Sequence, residues 1–242
     1  MVRGTGQNPP VTSSRLARVA PERLHLVLML LLTFGTGIVD AVGYLGLDRV
    51  FTGNMTGNVV ILGMALVGGN GLPVLGPLVA LGGFMLGAAL AGRVLRRADD
   101  PWSGRTTALL GLVAVLVLAL ALVLLLVEDP AEATLLVVTG VLGGAMGVQA
   151  GTARFIGVKD VTTVVVTSTI TGLAADSVLG SGKGGGTGRR ALAVLVIIAG
   201  ALVGAALVRW HLGAGLFLEG GLVLVVVLVG ALHARSHGRV DA

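Results

Sequence analysis

Phe51-Thr52-Gly53-Asn54-Met55-Thr56-Gly57-Asn58 is a polar, glycine-rich stretch that runs straight into the apolar residues Val59 to Val67. Thr and Asn are costly in hydrocarbon. Irregular backbone at membrane depth is tolerated only where protein buries it or where it lines a wet cavity. The stretch therefore predicts a broken helix inside a membrane. A related break follows at Thr167-Ser168-Thr169-Ile170-Thr171-Gly172-Leu173. Paired broken segments in two halves of a chain point to a substrate path in a transporter.

Composition agrees with a membrane setting. Apolar residues make up 55% of the chain and charged residues 12%, against about 25% charged in ordinary soluble domains. There is no Cys, which excludes disulfides, thiolate metal sites and cysteine nucleophiles. The net charge of +5 sits outside the apolar runs, so it reads as membrane topology and not as nucleic-acid binding. Arg3, Arg15, Arg18 and Arg23 make the N-terminus basic. The apolar stretch that follows, Leu24 to Leu47, is too long for a signal-peptide core and reads as a retained first helix.

Outward from the two breaks, the long apolar runs are Leu26–Leu47, Leu72–Leu95, Thr107–Val127, Ala131–Ala153, Arg190–Trp210 and Leu212–Leu232. Each is long enough to cross about 30 Å of hydrocarbon. The broken runs are Val50–Gly68 and Val161–Leu179. Loop charge decides whether they cross. The N-terminus, the Arg93–Arg105 loop, Arg154 to Lys159, the segment with Lys183, Arg189 and Arg190, and the tail with Arg235 and Arg239 are basic. The loop with Glu128, Asp129 and Glu132 is acidic. If both broken runs cross, no orientation puts every basic segment inside. If both dip in and return, all basic loops fall on one side and the acidic one on the other. The expected fold is therefore an all-α polytopic membrane protein of six transmembrane helices plus two re-entrant broken-helix hairpins, with both termini cytoplasmic.

The halves also match in order. Gly83-Phe-Met-Leu-Gly87-Ala-Ala-Leu90 resembles Gly200-Ala-Leu-Val-Gly204-Ala-Ala-Leu207, Thr56-Gly57 resembles Thr171-Gly172, and Asp40-Ala41 lines up with Gln149-Ala150. With three crossings per half, the second repeat is inverted relative to the first. The expected division is a cytoplasmic tail over 1–23, repeat 1 over 24–127, repeat 2 over 128–232 and a second cytoplasmic tail over 233–242.

From Asp40-Ala-Val-Gly-Tyr44-Leu through Phe51-Thr-Gly-Asn54-Met-Thr56-Gly-Asn58, the chain resembles the YoaK-like family of bacterial integral membrane proteins of unknown function. The resemblance extends from about Leu24 to Ala231, more weakly in the second half. It implies an inner-membrane protein, commonly described with six spans, and supplies no activity.

Asp40 lies about 10 Å from the outer end of the first span by rise per residue. An intramembrane carboxylate marks a path, a relay or a partner; the plainer reading is a hydrogen bond to the glycine-rich hairpin. Gln149 is its expected repeat counterpart. Asn54, Thr56 and Asn58 form one polar wall, with Asn58 able to cap a helix restarting there, or they merely satisfy broken backbone. A half-helix start at membrane depth would suit an anion or a carbonyl oxygen. Thr162, Thr163, Thr167, Ser168, Thr169 and Thr171 make the second break hydroxyl-rich. Thr167 and Thr171, one turn apart, are the residues expected to face the first hairpin. Asp176 and Arg154 form a candidate ion pair. Glu219 is an acid within the last span, suited equally to proton coupling and to a buried hydrogen bond. Gly83, Gly87, Gly200 and Gly204 are the expected helix-packing positions; if they face outward they predict a homodimer.

Gly180-Ser-Gly-Lys183-Gly-Gly-Gly-Thr187 is not a phosphate-binding loop, since Ser177 and Gly184 stand where that motif needs Gly and Ser/Thr. His25, His211, His233 and His237 show no metal-ligand pattern, and no hydrolase or catalytic-acid motif is present. No cofactor, metal, catalytic residue or nucleic-acid partner is expected. The sequence reading is an inner-membrane transporter of a small polar or anionic solute or ion. Asp40 and Glu219 are its proton-coupling groups, and Asp40, Asn54, Thr56, Asn58, Gln149, Thr167 and Thr171 its substrate-binding residues. A passive channel, an assembly or scaffold protein and an intramembrane enzyme on a lipid-linked substrate are the alternatives.

Overall fold

The computed structural model describes residues 20–68, 71–158, 166–182 and 186–237. Among them the chain is all helical: α1 (Pro21–Gly46), α2 (Met55–Leu66), α3 (Leu75–Leu95), α4 (Gly104–Leu126), α5 (Glu132–Ile156), α6 (Val166–Ala175), α7 (Thr187–Val208) and α8 (Leu212–His237). Six of these helices are long and apolar enough to cross a membrane; α2 and α6 are shorter apolar helices. Thr162, Thr163, Lys159 and Lys183, named above, lie outside the described residues.

Local chemistry sets the helix ends. Pro21 stands in the first turn of α1 and Glu22 beside it; a missing N–H is harmless there and a carboxylate complements the helix dipole. The helix therefore begins before its apolar run does. α4 likewise starts at Gly104 instead of Thr107, because Ser103 and Thr106 form a reciprocal capping box. α5 stops at Gly157, which takes the left-handed conformation, φ 66°.

Small residues then bring the long helices into backbone contact. A Cβ at Gly83 would overlap the carbonyl of Gly140, one at Gly87 that of Gly144, and one at Gly147 that of Phe84. α3 and α5 therefore run parallel. In the same way Gly200 lies against the Phe34 carbonyl, Gly204 against that of Ile38, and Gly37 against that of Ile197, so α1 and α7 run parallel. Between helices immersed in lipid this close approach, with its dispersion contacts, replaces the hydrophobic drive of a soluble core. All four predicted glycines thus lie inside the bundle, and they form no outward face for a dimer.

α8 runs antiparallel to both α1 and α4. Its Leu212 meets Gly46, Gly215 meets Val42, and Glu219 meets Gly35. Gly213 meets Ala121, Gly220 meets Leu118, and Gly230 meets Trp102 just ahead of α4. The rings of His25 and Trp102 stack at 5.7 Å, so α1 and α4 start on the same face. α1 is central, touching α5, α7 and α8. Its Leu28, Leu32, Ile38 and Val39 join Leu110, Val113, Leu142 and Leu216 in the buried core.

Candidate functional site

The site is built where α1 ends. Leu47 closes the helix, and Asp48 and Arg49 then both take positive φ, 61° and 59°. Two successive non-glycine residues in the left-handed region are unusual, since the Cβ crowds the backbone there. Here they reverse the chain. Val50 donates its N–H to the Gly43 carbonyl at 3.3 Å, and the next residues run back beside α1 as far as Asp40.

Asp40 receives them. Its Oδ1 accepts the backbone N–H groups of Thr52 at 3.0 Å, Gly53 at 2.7 Å and Asn54 at 3.3 Å. Its Oδ2 accepts the Asn54 side-chain amide. Thr52 also donates its hydroxyl to the Val39 carbonyl at 3.4 Å. A Cβ at 53 would lie 2.7 Å from the Thr36 methyl, so a side chain there forces that methyl to shift. A buried carboxylate with this many donors is satisfied by the protein itself.

α2 starts at Met55 with Asn54 as its N-cap residue, and the Asn54 side chain makes no capping bond because it turns to Asp40 instead. Asn58 therefore does not begin the helix, as the sequence suggested. It lies in the first turn, fully buried, and accepts the Phe51 N–H at 2.8 Å while its amide donates to the Phe51 carbonyl. Thr56 is exposed. The N–H groups that Asp40 takes are those of Thr52, Gly53 and Asn54, just ahead of the first residue of α2.

On α5, Gln149 is 1% exposed. Its Nε2 donates to the Thr36 hydroxyl at 3.5 Å. The Thr36 hydroxyl itself donates to the Leu32 carbonyl at 2.9 Å, so it must accept from Gln149. This fixes the amide orientation and leaves Gln149 Oε1 buried without a partner among the described residues. Thr36, Asp40, Met146 and Gly53 adjoin one another. The structure thus gathers Asp40, Asn54, Asn58 and Gln149 between α1, α5 and the start of α2.

Glu219 lies on a different face of α1. It is fully buried, fills the notch left by Gly35, and neither carboxylate oxygen has a partner among the described residues. Thr167 and Thr171 are not part of the cluster. Both are exposed on α6, the Thr171 hydroxyl donates back to the Thr167 carbonyl at 2.9 Å, and α6 packs on α7. Asp176 pairs with Arg190 at 2.6 Å, not with Arg154, because Arg190 at the start of α7 also reaches the Gly172 carbonyl at 3.0 Å. Among the described residues, no group of three or more His, Cys, Asp or Glu is positioned to hold a metal ion. Sequence reasoning missed Thr36, Thr52 and Gly35: a Thr in a helix normally bonds its own preceding turn, and a lone Gly carries no signal for the side chain that fills its notch.

The segment from Asp40 to Asn58 that builds this cluster is the one that carried the family resemblance, and the wider chain agrees. Residues 28–229 match the family described as "Protein of unknown function (DUF1275)". The chain belongs to that family. It is also 33% identical over 150 residues to the UPF0700 transmembrane protein YoaK of Bacillus subtilis (strain 168), covering 62% of this chain. The chain spans 65% of that relative's length. No solved structure matches it. The family is thus the YoaK-like one, and this member is a membrane protein with six candidate spans.

Proposed function

We propose that the chain is a transporter of a small polar solute in the bacterial inner membrane, with its site between α1, α5 and the start of α2. The observation that carries this is Gln149 Oε1, an acceptor buried within a span, on a side chain that bonds Thr36 one turn before Asp40, and lacking a partner among the described residues. A buried polar atom left unpaired costs about 1–3 kcal/mol, and a passing ligand that donates a hydrogen bond removes that cost. The free atom is an acceptor, so the solute it binds bears N–H or O–H groups. Glu219, buried without a partner among the described residues, is the group for proton coupling.

In this reading α2 and α6 are re-entrant. Val50, just past the end of α1, lies against Gly76 at the start of α3, so the chain leaves and rejoins the same face around α2. The helix pairings support two inverted repeats, 24–127 and 128–232: α3 packs on α5 as α7 packs on α1, and α2 on α3 as α6 on α7. In that register Gly204 meets Ile38 as Gly87 meets Gly144. The counterpart of Asp40 is then Met146 and not Gln149. The face bearing Arg23, Arg96, Arg97, Arg105 and Arg154 is cytoplasmic, with the tails over 1–23 and 233–242, and the Glu128–Glu132 face is external.

A second reading is favoured by one observation. Every bond Asp40 makes is internal, as an assembly or scaffold protein would need. Proteoliposomes loaded with a pH-sensitive dye and offered amines, polyols, amino acids and carboxylates separate the two. Transport predicts a pH response to a donor-bearing class, lost in Gln149→Leu and reduced in Glu219→Gln. Osmotic swelling with a solute but no dye response favours a channel; neither swelling nor a dye response to any class contradicts transport.

A further inference from the structure

On the basic face a cleft of about 470 Å³ opens between the ends of α3 and α5, lined by Gly92, Leu95, Arg96, Ala98, Gly151, Arg154 and Phe155. Arg96 directly follows α3 and Arg154 lies in the last turn of α5. Both are exposed. Neither forms an ion pair with a carboxylate among the described residues, where Arg190 with Asp176 is such a pair. Gly92 lines the cleft, and nothing lies within 4 Å of where its Cβ would be. Leu95, Ala98 and Phe155 make the rest of its lining apolar. Two guanidinium groups over an apolar floor, at the level where spanning helices end, match a phosphate that carries an apolar body. Arg recognises phosphate through paired, charge-assisted hydrogen bonds, and basic pockets between spanning helices suit anionic headgroups.

We propose that this cleft is a phosphate-binding site, with Arg96 and Arg154 as its cationic walls, taking the phosphate of an anionic lipid headgroup or free phosphate. It is separate from the Asp40 cluster and independent of any transport activity. The plainer role for both arginines is to offset the negative ends of α3 and α5, and that role makes no cleft.

The test is the thermal midpoint of the purified full chain in detergent, with added phosphatidylglycerol, phosphatidylcholine or inorganic phosphate at matched ionic strength. Phosphatidylglycerol should raise the midpoint by several degrees over phosphatidylcholine. A rise with inorganic phosphate as well assigns free phosphate as a ligand; a rise with phosphatidylglycerol alone assigns the lipid. The rise should vanish in the Arg96→Gln/Arg154→Gln variant. It should also vanish in Gly92→Leu, which fills open space without changing charge. It should persist in Arg93→Gln/Arg97→Gln, which changes the same charge outside the cleft. No rise with either phosphate source overturns the proposal, as does a rise that survives in the Arg96/Arg154 variant or in Gly92→Leu. Equal loss in the Arg93/Arg97 variant overturns it too, since general surface charge would then explain the effect.

Discussion

Asp40 draws the segment before α2 into the bundle with three backbone N–H groups and one side-chain amide, whereas α6 is held to α7 by an ion pair with partly exposed side chains, Arg190 to Asp176. In the proposed repeat register, α5 carries an apolar side chain, Met146, where α1 carries Asp40. Yet the long helices around these two segments pack alike, through backbone contact at Gly83 and Gly87 in one case and at Gly200 and Gly204 in the other. The contrast separates two kinds of work. Small residues set the frame in both halves; a single carboxylate sets the conformation of one short helix's entry, and only in the first.

The strongest way to break this comparison is through the frame. Gly87→Leu and Gly204→Leu each force a side chain onto a backbone carbonyl, of Gly144 and Ile38 respectively. Overpacking typically costs about 1–3 kcal/mol, and backbone cannot rotate aside as a side chain does. Both variants should lose folded, monodisperse protein to a similar extent by size-exclusion chromatography. Full yield of one with loss of the other would mean that the two contacts are not equivalent.

The next largest effect belongs to the first half alone. Asp40→Ala strips the acceptor from Thr52, Gly53 and Asn54, at about 1–3 kcal/mol for each buried donor left unpaired. Its thermal midpoint should fall sharply, and the 50–54 backbone should lose protection in hydrogen exchange. Asp40→Asn keeps one acceptor oxygen but sets an NH2 against the Asn54 amide, so its loss should be smaller. If Asp40→Ala were as stable as the wild type, the carboxylate would not be what holds the segment.

The smallest effect belongs to the second half. Arg190→Ala removes an ion pair whose side chains are 18% and 35% exposed, and pairs near the surface contribute about 0–1 kcal/mol. The midpoint should shift little, and Thr171→Val, on an exposed hydroxyl, should shift it less. A fall comparable to that of Asp40→Ala would erase the contrast between the two segments.

Much of this architecture was legible in the sequence. The six apolar runs correspond to six long helices, but neither expected break splits a helix. In the first, only 50–54 is non-helical, with Met55–Asn58 already the first turn of α2. In the second, Thr167–Leu173 lies within α6, its hydroxyls bonding back along the helix as Thr171 does to the Thr167 carbonyl. The ends moved where side-chain chemistry outweighed hydropathy: Pro21 and Glu22 start α1 early, and the Ser103–Thr106 box starts α4 early. Asp40 and Gln149 stood out as polar residues within spans, but their partners did not. The reversal that delivers Thr52–Asn54 to Asp40 depends on positive φ at Asp48 and Arg49, and neither residue signals a left-handed turn as glycine would. Asn58 was misread as a cap because its true partner, the Phe51 backbone, becomes available only after that reversal. Thr167 and Thr171 were placed by helical spacing alone, which fixes a shared face without saying what it meets.

The central claim is that α2 and α6 open on opposite faces of the membrane. With no native Cys, single cysteines test it directly: Val67→Cys past the end of α2 and Ser181→Cys in the turn after α6, both at exposed positions, with Asp129→Cys as the external reference. In intact cells a membrane-impermeant maleimide should label Val67→Cys and Asp129→Cys but not Ser181→Cys, which should react only after permeabilisation. Labelling of Val67→Cys and Ser181→Cys from the same side would contradict the account, because one of the two short helices would then cross the membrane.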